Sequence, residues 1–418
     1  MNQIDERAAF TISFLSTLSQ FGGSADRVQQ AARFFGNRWA ESATTLTDPN
    51  SMTLFWKPKG AAAESTIQKA LTSPGLNIAG LIALDRIGHQ VLANERDVSY
   101  GIKEIETLVN SPPLYSSKLR ILACGLLSLG VSSGLSLDLF TLLASLVMGF
   151  LVGYLIELSD SKPNLGPLIE TICGFLAAVG AALCSFFFIG FEKDAVILGS
   201  LVVLFPGLAM TVAMRELATN HVISGVGRLA GAFTTLLKLV VGVLFGQAVS
   251  TSLGKTLGNA ELFQLEISLP IGIDWMTLPI TAFAFSILFR IPLKLYASVF
   301  LFVALAQLSL QSLTGMSSYS RVFIAALLIG FLSNVIAWWK TRPSSITLIP
   351  GLIMMVPGGL GYRGLLKIGE NSSISGFQTL AEAIILTVAL ASGILFSQYL
   401  TPQRKVKNEP LTKATPAS

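Results

Sequence analysis

The sequence predicts an α-helical polytopic membrane protein: about ten transmembrane helices in two five-helix inverted repeats, preceded by a small α/β cytoplasmic domain. Three observations carry that prediction. Of 418 residues, 52% are hydrophobic and only 13% charged, about half the roughly 25% charge of ordinary soluble domains. The charges concentrate in residues 1–120 and then retreat to the edges of apolar runs between Ile121 and Leu400. The apolar part also repeats itself at an offset of 151 positions.

Residues 1–117 form the expected α/β domain. Helical periodicity covers 7–21 and 25–39, separated by Gly22-Gly23 with Ser24 placed as an N-cap. The stretch "ATTLTDPNSMTLFW" alternates polar and apolar residues around a turn at Asp48-Pro49-Asn50, which is a hairpin pattern. Amphipathic helices follow at 78–94 and 99–110, and Pro112-Pro113 closes the domain as a stiff linker. Asp5 and Glu6 stand where a signal peptide needs basic residues, so no cleavable signal is expected.

Ten apolar runs follow, each near the roughly 20 residues a spanning helix needs. They cover 119–135, 138–158, 167–189, 194–214 and 226–250 in a first repeat, 118–250. The second repeat, 251–400, holds 275–290, 292–312, 321–340, 345–365 and 377–400. The polar tail 401–418 has the composition of a disordered segment. With the N-terminal domain inside, Lys118, Arg120, Lys162, Arg215, Arg228, Arg290, Lys294, Lys340, Arg342, Arg404, Lys405 and Lys407 all fall inside. Only Lys193, Lys255, Arg321, Arg363 and Lys367 remain outside, so both termini are expected in the cytoplasm.

At the 151-residue offset, "VVLFPGLAM" lies over "IMMVPGGLG", which aligns Pro206-Gly207 with Pro357-Gly358. Ile223-Ser224-Gly225 then meets Ile374-Ser375-Gly376 at the same spacing. Leu and Ala matches between apolar sequences carry little weight, whereas two rarer features at one spacing indicate duplication. Five spans per copy is an odd number, so the second copy enters the membrane inverted. Folds of that kind place the substrate near the midplane, where interrupted helices in both halves free backbone groups to face it. A lone Pro-Gly would read as an ordinary kink, because both residues are common in membrane helices. A matched pair favours a site.

Ionisable groups within the bilayer cost on the order of 3 kcal/mol or more, so each has a partner or a task. Pro206, Gly207, Thr211, Arg215, Arg228, Pro357, Gly358 and Arg363 are the candidate substrate-binding residues. Glu216 and Glu382 are the candidates for proton coupling or gating. Arg215, Glu216 and Arg228 also fit interfacial anchoring, and Glu170 and Arg321 read equally as helix-end charges. His221 fits a solvated loop histidine. Trp338-Trp339 beside Lys340 form an interface belt. "SLGKT" at 252–256 lacks the first glycine of a phosphate-binding loop, where Val249 stands. With His89 and His221 the only histidines, no zinc-protease motif is present, and neither an enzyme nor a cofactor is expected. The charge of +5 suits basic membrane loops, and no basic run points to nucleic acid.

Three stretches, "FTISFLSTLSQFGGSADRVQQAARFFG", "LFPGLAMTVAMRELATNHVISGVGRLAGA" and "RPSSITLIPGLIMMVPGGLGYRGL", together resemble the threonine/serine exporter family of inner-membrane proteins. The likeness runs over almost the whole chain. It implies about ten membrane helices, a cytoplasmic N-terminal domain and efflux of a small hydrophilic metabolite coupled to the proton gradient. The sequence departs at Gly231, where the resemblance leads one to expect an acidic residue. The matching position of the second half is Glu382. The expected partners are therefore a small carboxylate-bearing metabolite, protons and the lipid bilayer, with a homo-oligomer as a further candidate. A dicarboxylate exporter and a membrane scaffold acting through its N-terminal domain are the competing expectations.

Overall fold

The computed structural model describes residues 5–48, 50–71, 75–188, 190–257, 267–340 and 344–401. Pro49, Arg342 and the tail beyond Thr401, with Arg404, Lys405 and Lys407, lie outside the described residues.

The N-terminal part runs α1 (Glu6–Gln20), α2 (Ala25–Trp39), β1 (Ala40–Thr47), β2 (Ser51–Pro58), β3 (Ser65–Ala70), α3 (Ile78–Leu92) and α4 (Val98–Asn110). The strands form an antiparallel sheet in the order β1-β2-β3. Alternation in β2 puts Met52, Leu54 and Trp56 on the inner face, all fully buried. Phe10, Phe14, Phe35 and Trp39 of α1 and α2 complete that core. The first loop depends on glycine. Gly22 has φ +95°, and a Cβ on Gly23 would lie 2.7 Å from the Leu18 carbonyl. Strand β3 adds to the expected hairpin. Its sequence, STIQKA, is mostly exposed, so no apolar alternation announces it.

Twelve α-helices follow among the described residues. They are α5 (Ser117–Ser132), α6 (Leu139–Ser161), α7 (Ile169–Ser185), α8 (Lys193–Leu201), α9 (Gly207–Ala218) and α10 (Val222–Leu257). Then come α11 (Ile273–Leu288), α12 (Tyr296–Ser312), α13 (Ser318–Lys340), α14 (Ser345–Ile353), α15 (Gly358–Gly369) and α16 (Ser373–Leu400). Among the described residues, seven helices are long and apolar enough to cross a membrane, or eight if the bent pair α8–α9 is one span. The chain is a polytopic helical membrane protein. Every one of the ten apolar runs holds a helix, but α5 and α11 have only 16 residues each, fewer than about 20. These two pack against each other.

The fourth and ninth runs are each split in two. The first breaks between α8 and α9 with a 54° bend. In both, proline occupies the N-cap of the second piece, with φ −79° and ψ 32° at Pro206 and φ −82° and ψ 33° at Pro357. The next turns match as well, with left-handed asparagines Asn220 (φ 63°) and Asn371 (φ 64°). Packing follows the same correspondence: α7 lies on α10 as α13 lies on α16, and α6 on α8 as α12 on α14. Glycine permits the closest of these approaches. A Cβ on Gly242 would strike the Thr171 carbonyl, and one on Gly393 would sit 2.6 Å from that of Phe323.

The two broken runs are antiparallel. The start of α8 and the end of α15 share one cavity. The end of α9 touches α2, and Ile346 at the start of α14 packs in a cluster with Ile78 of α3. The N-terminal segment therefore meets both broken runs on one face. Its Ile78 and Ala79 amides donate to the Phe289 and Arg290 carbonyls at 3.1 and 3.0 Å, and the Tyr115 hydroxyl donates to the Ile291 carbonyl.

Candidate functional site

Three groups of residues form along the broken helices. The central one is the crossing of the two breaks. A Cβ on Gly207 would overlap Val356 and lie 3.4 Å from the Gly358 Cα; one on Gly358 would lie 3.3 Å from the Gly207 Cα. Glycine at both positions is what lets the backbones meet. Thr211 is one turn further along α9, but its hydroxyl is used within the helix, donating to the Gly207 carbonyl at 3.1 Å.

The second group is a buried polar junction at the C-terminal end of α9. Helix N-termini leave backbone N–H groups unsatisfied and favour negative charge. Helix α2 carries Asp26 in its own first turn and obtains a partner for one such N–H, with a second carboxylate, from outside its own domain. The Ala25 N–H donates to Glu216 Oε1 at 2.8 Å. Glu216 is fully buried and also accepts from Ser224 Oγ at 2.8 Å and from Arg228 Nε at 3.1 Å. Next to it, Arg215 Nη2 donates to Asp26 Oδ2 at 2.6 Å, both side chains being at most 10% exposed. His221 Nε2 meets Gln29 Oε1 at 2.8 Å. Burial alone would raise the Asp26 carboxyl, but the Arg215 guanidinium holds it below its ordinary value. The stability this ion pair contributes is therefore present above about pH 4 and fades only as pH falls through that depressed value. Asp26 Oδ1 and Arg215 Nε have no hydrogen-bond partner among the described residues.

The third group lies across the crossing from that junction. A cavity of about 410 Å³ opens between the start of α8 and the end of α15. Glu192, Asp194, Arg363, Lys367 and Glu370 line it. At its floor Tyr362 is 1% exposed, and its hydroxyl has no partner among the described residues. The Tyr362 ring stands 5.3 Å from that of Phe205, the residue preceding the first break. Arg363 makes no ion pair among the described residues, whereas Lys367 reaches Thr379 at 3.4 Å and Glu370 accepts from Gln247 at 3.1 Å. A larger cavity of about 520 Å³ between α9, α10, α15 and α16 is apolar except for Thr387, whose hydroxyl is bonded within its own helix. Among the described residues, no group of three or more His, Cys, Asp or Glu is placed to hold a metal ion.

The candidates named from sequence thus separate into places. Pro206, Gly207, Pro357 and Gly358 meet at the crossing, and Arg215, Glu216 and Arg228 gather at the junction. Arg363 is in the cavity. Glu382 joins none of these, and its side chain is partly exposed on α16. Gly231, at the 151-residue offset from it, faces open space. Sequence reasoning missed Asp26, Tyr362 and Asp194. Asp26 reads as an ordinary first-turn acid and Asp194 as the charge that opens the fourth apolar run, and nothing in a single sequence signals that Asp26 pairs with Arg215 or that Asp194 shares a cavity with Arg363.

Broken helices at matched Pro-Gly pairs in a helical membrane protein, with charge gathered on either side, are a pattern that membrane transporters also use. Comparison with known proteins narrows the class. One threonine/serine exporter family model matches residues 11–250 and a second matches 274–400. The chain belongs to the threonine/serine exporter family. Relatives include a protein named "Probable threonine/serine exporter" from Mycobacterium tuberculosis, 24% identical over 80% of this chain and 65% of that protein. An uncharacterised protein of Schizosaccharomyces pombe is 20% identical over 89% of this chain and 46% of its own length. A threonine/serine exporter of Corynebacterium glutamicum is 22% identical over 80% of this chain and 69% of that protein. The chain thus spans less than two thirds of the first two relatives. No solved structure matches.

Proposed function

We propose that the chain is a secondary transporter of the inner membrane that exports threonine or serine in exchange for protons. On this reading ten spans form two inverted five-helix halves, both termini are cytoplasmic, and the chain is not an enzyme. The observation that carries it is the antiparallel crossing at Gly207 and Gly358, with the same proline dihedrals on both sides. Inverted halves of this kind supply alternating access by rocking about a central site. The junction closes the face held by the N-terminal domain, and the polar cavity opens on the other.

The cavity's mixed charge suits a zwitterion. Arg363 is the contact for the carboxylate and Asp194 for the ammonium group, with the free Tyr362 hydroxyl between them and the crossing. Three carboxylates line this cavity, which disfavours a dicarboxylate. Glu382 is the candidate proton carrier, since the first half offers only Gly231 at the matching place.

Everted vesicles with an acidic interior, supplied with labelled threonine, serine or succinate, test this. Gradient-dependent uptake of the two amino acids is expected, with no uptake of succinate. Arg363→Gln and Asp194→Asn each remove one charge-assisted contact, worth about 1.5–3 kcal/mol, and should raise KM roughly 10- to 100-fold. Glu382→Gln should abolish the dependence on the gradient. Folded protein that carries neither amino acid would overturn the reading.

A further inference from the structure

Away from the crossing, the N-terminal domain holds a cavity of about 320 Å³ between α1, α2 and α3. That volume is at the small end of ligand sites, which run roughly 300–1,000 Å³. Its walls are apolar, formed by side chains such as Phe14 and Leu84, with Phe34 left 38% exposed. Its polar lining includes Arg27, Asp85 and His89.

Arg27 is an under-compensated cation. It makes no ion pair or hydrogen bond among the described residues. Burial lowers its pKa and the neighbouring Arg215 lowers it further, while Asp26 and Asp85 offset this only in part. Asp85 lies on the same cavity without coming within ion-pair distance of Arg27. Among the described residues its one basic neighbour at that range is the His89 imidazole, 3.8 Å away. A group that binds carboxylates and a group that binds ammonium are thus held apart over an apolar floor.

We propose that this cavity is a second ligand site, taking a free amino acid with an apolar side chain the size of leucine or phenylalanine. A fatty acid would use Arg27 alone, an amine would use only Asp85, whose side chain is 46% exposed, and serine or threonine would leave the aromatic walls unfilled. Arg27 is adjacent to Asp26 on α2, so a carboxylate on Arg27 weakens its repulsion of Arg215 and reinforces the Asp26–Arg215 pair. The site exists whether or not the chain transports; only its consequence for flux rests on the transport reading.

Equilibrium dialysis of the full-length protein in lipid nanodiscs against labelled leucine and phenylalanine tests it. Saturable binding is expected, and leucine analogues lacking either the amino group or the carboxylate should bind at least about tenfold more weakly. Arg27→Gln and Asp85→Asn should weaken binding at least about tenfold, whereas Arg363→Gln should leave it unchanged. Ala31→Leu, which fills the cavity and keeps both charges, should abolish it and supplies the answer if Arg27→Gln fails to fold. Amide exchange over 213–219 should slow with leucine in the wild type and not in Arg27→Gln. No saturable binding to folded protein, or binding that survives both Arg27→Gln and Ala31→Leu, overturns the proposal. So does binding lost in Arg363→Gln, which would place the ligand in the other cavity.

Discussion

Glu216→Ala is expected to destabilise the protein by about 3–5 kcal/mol, the range found when one partner of a buried ion pair is removed. The variant strands Arg228, only 15% exposed, and takes the acceptor from the Ala25 N–H and the Ser224 hydroxyl. Because Ala25 belongs to the N-terminal domain, the loss should also loosen that domain. Protease cleavage near Pro112-Pro113 should then precede global unfolding. Glu216→Gln keeps an acceptor for Ala25 while losing the charge, so an intermediate effect is expected. The decisive comparison is Glu216→Leu with Arg228→Leu. Removing both charges together is far milder than removing one, so the pair should recover most of the loss, short of about 1–3 kcal/mol for the unanswered N–H. Heat or denaturant unfolding in detergent measures all four. A double variant no more stable than Glu216→Leu alone would mean that the charges are not coupled as the distances indicate.

Gly207→Ala should reduce transport at least tenfold while the protein still inserts and folds. A new Cβ there overlaps Val356 and comes into contact with the Gly358 backbone, and overpacking of this kind costs about 1–3 kcal/mol. The strain falls at the point where the halves would have to move against each other. Val356→Ala removes the overlapping methyl, so Gly207→Ala with Val356→Ala should regain much of the flux. Gly358→Ala is the symmetric test. Its Cβ would lie 3.2 Å from that of Phe205, a close contact but a looser one than the overlap with Val356, and a smaller loss is expected. Full activity in Gly207→Ala, measured as threonine uptake into everted vesicles, would remove the crossing from the mechanism.

Both predictions concern "LFPGLAMTVAMREL", where an apolar run is interrupted and then ends in charge. Its first half was legible. Proline in a helix has a local, fixed consequence, and its counterpart at Pro357 could be found by shifting the sequence against itself. Its second half was not. Arg215 and Glu216 read equally as an anchor, a gate or a substrate contact, because a charge declares a need for a partner without naming one. The partners are Asp26 and the Ala25 amide, about 190 residues away in the chain. The same limit hid Tyr362, which reads as one more aromatic residue in an apolar helix until its buried hydroxyl is seen without a partner.

By itself the sequence determined the α-helical membrane architecture, the α/β start, the ten apolar runs and the positions of both breaks. These follow from hydropathy, periodicity and the backbone chemistry of proline and glycine, all of which act over a few neighbouring residues. Tertiary structure alone decided that β3 completes a sheet, that the two breaks touch, and that the N-terminal segment meets both broken runs. It also decided that Glu216 serves as a cap for a helix in another domain, while Arg363 opens onto a separate cavity. Each of these depends on which distant segments come together, and pairing between distant segments leaves no periodic trace in one chain.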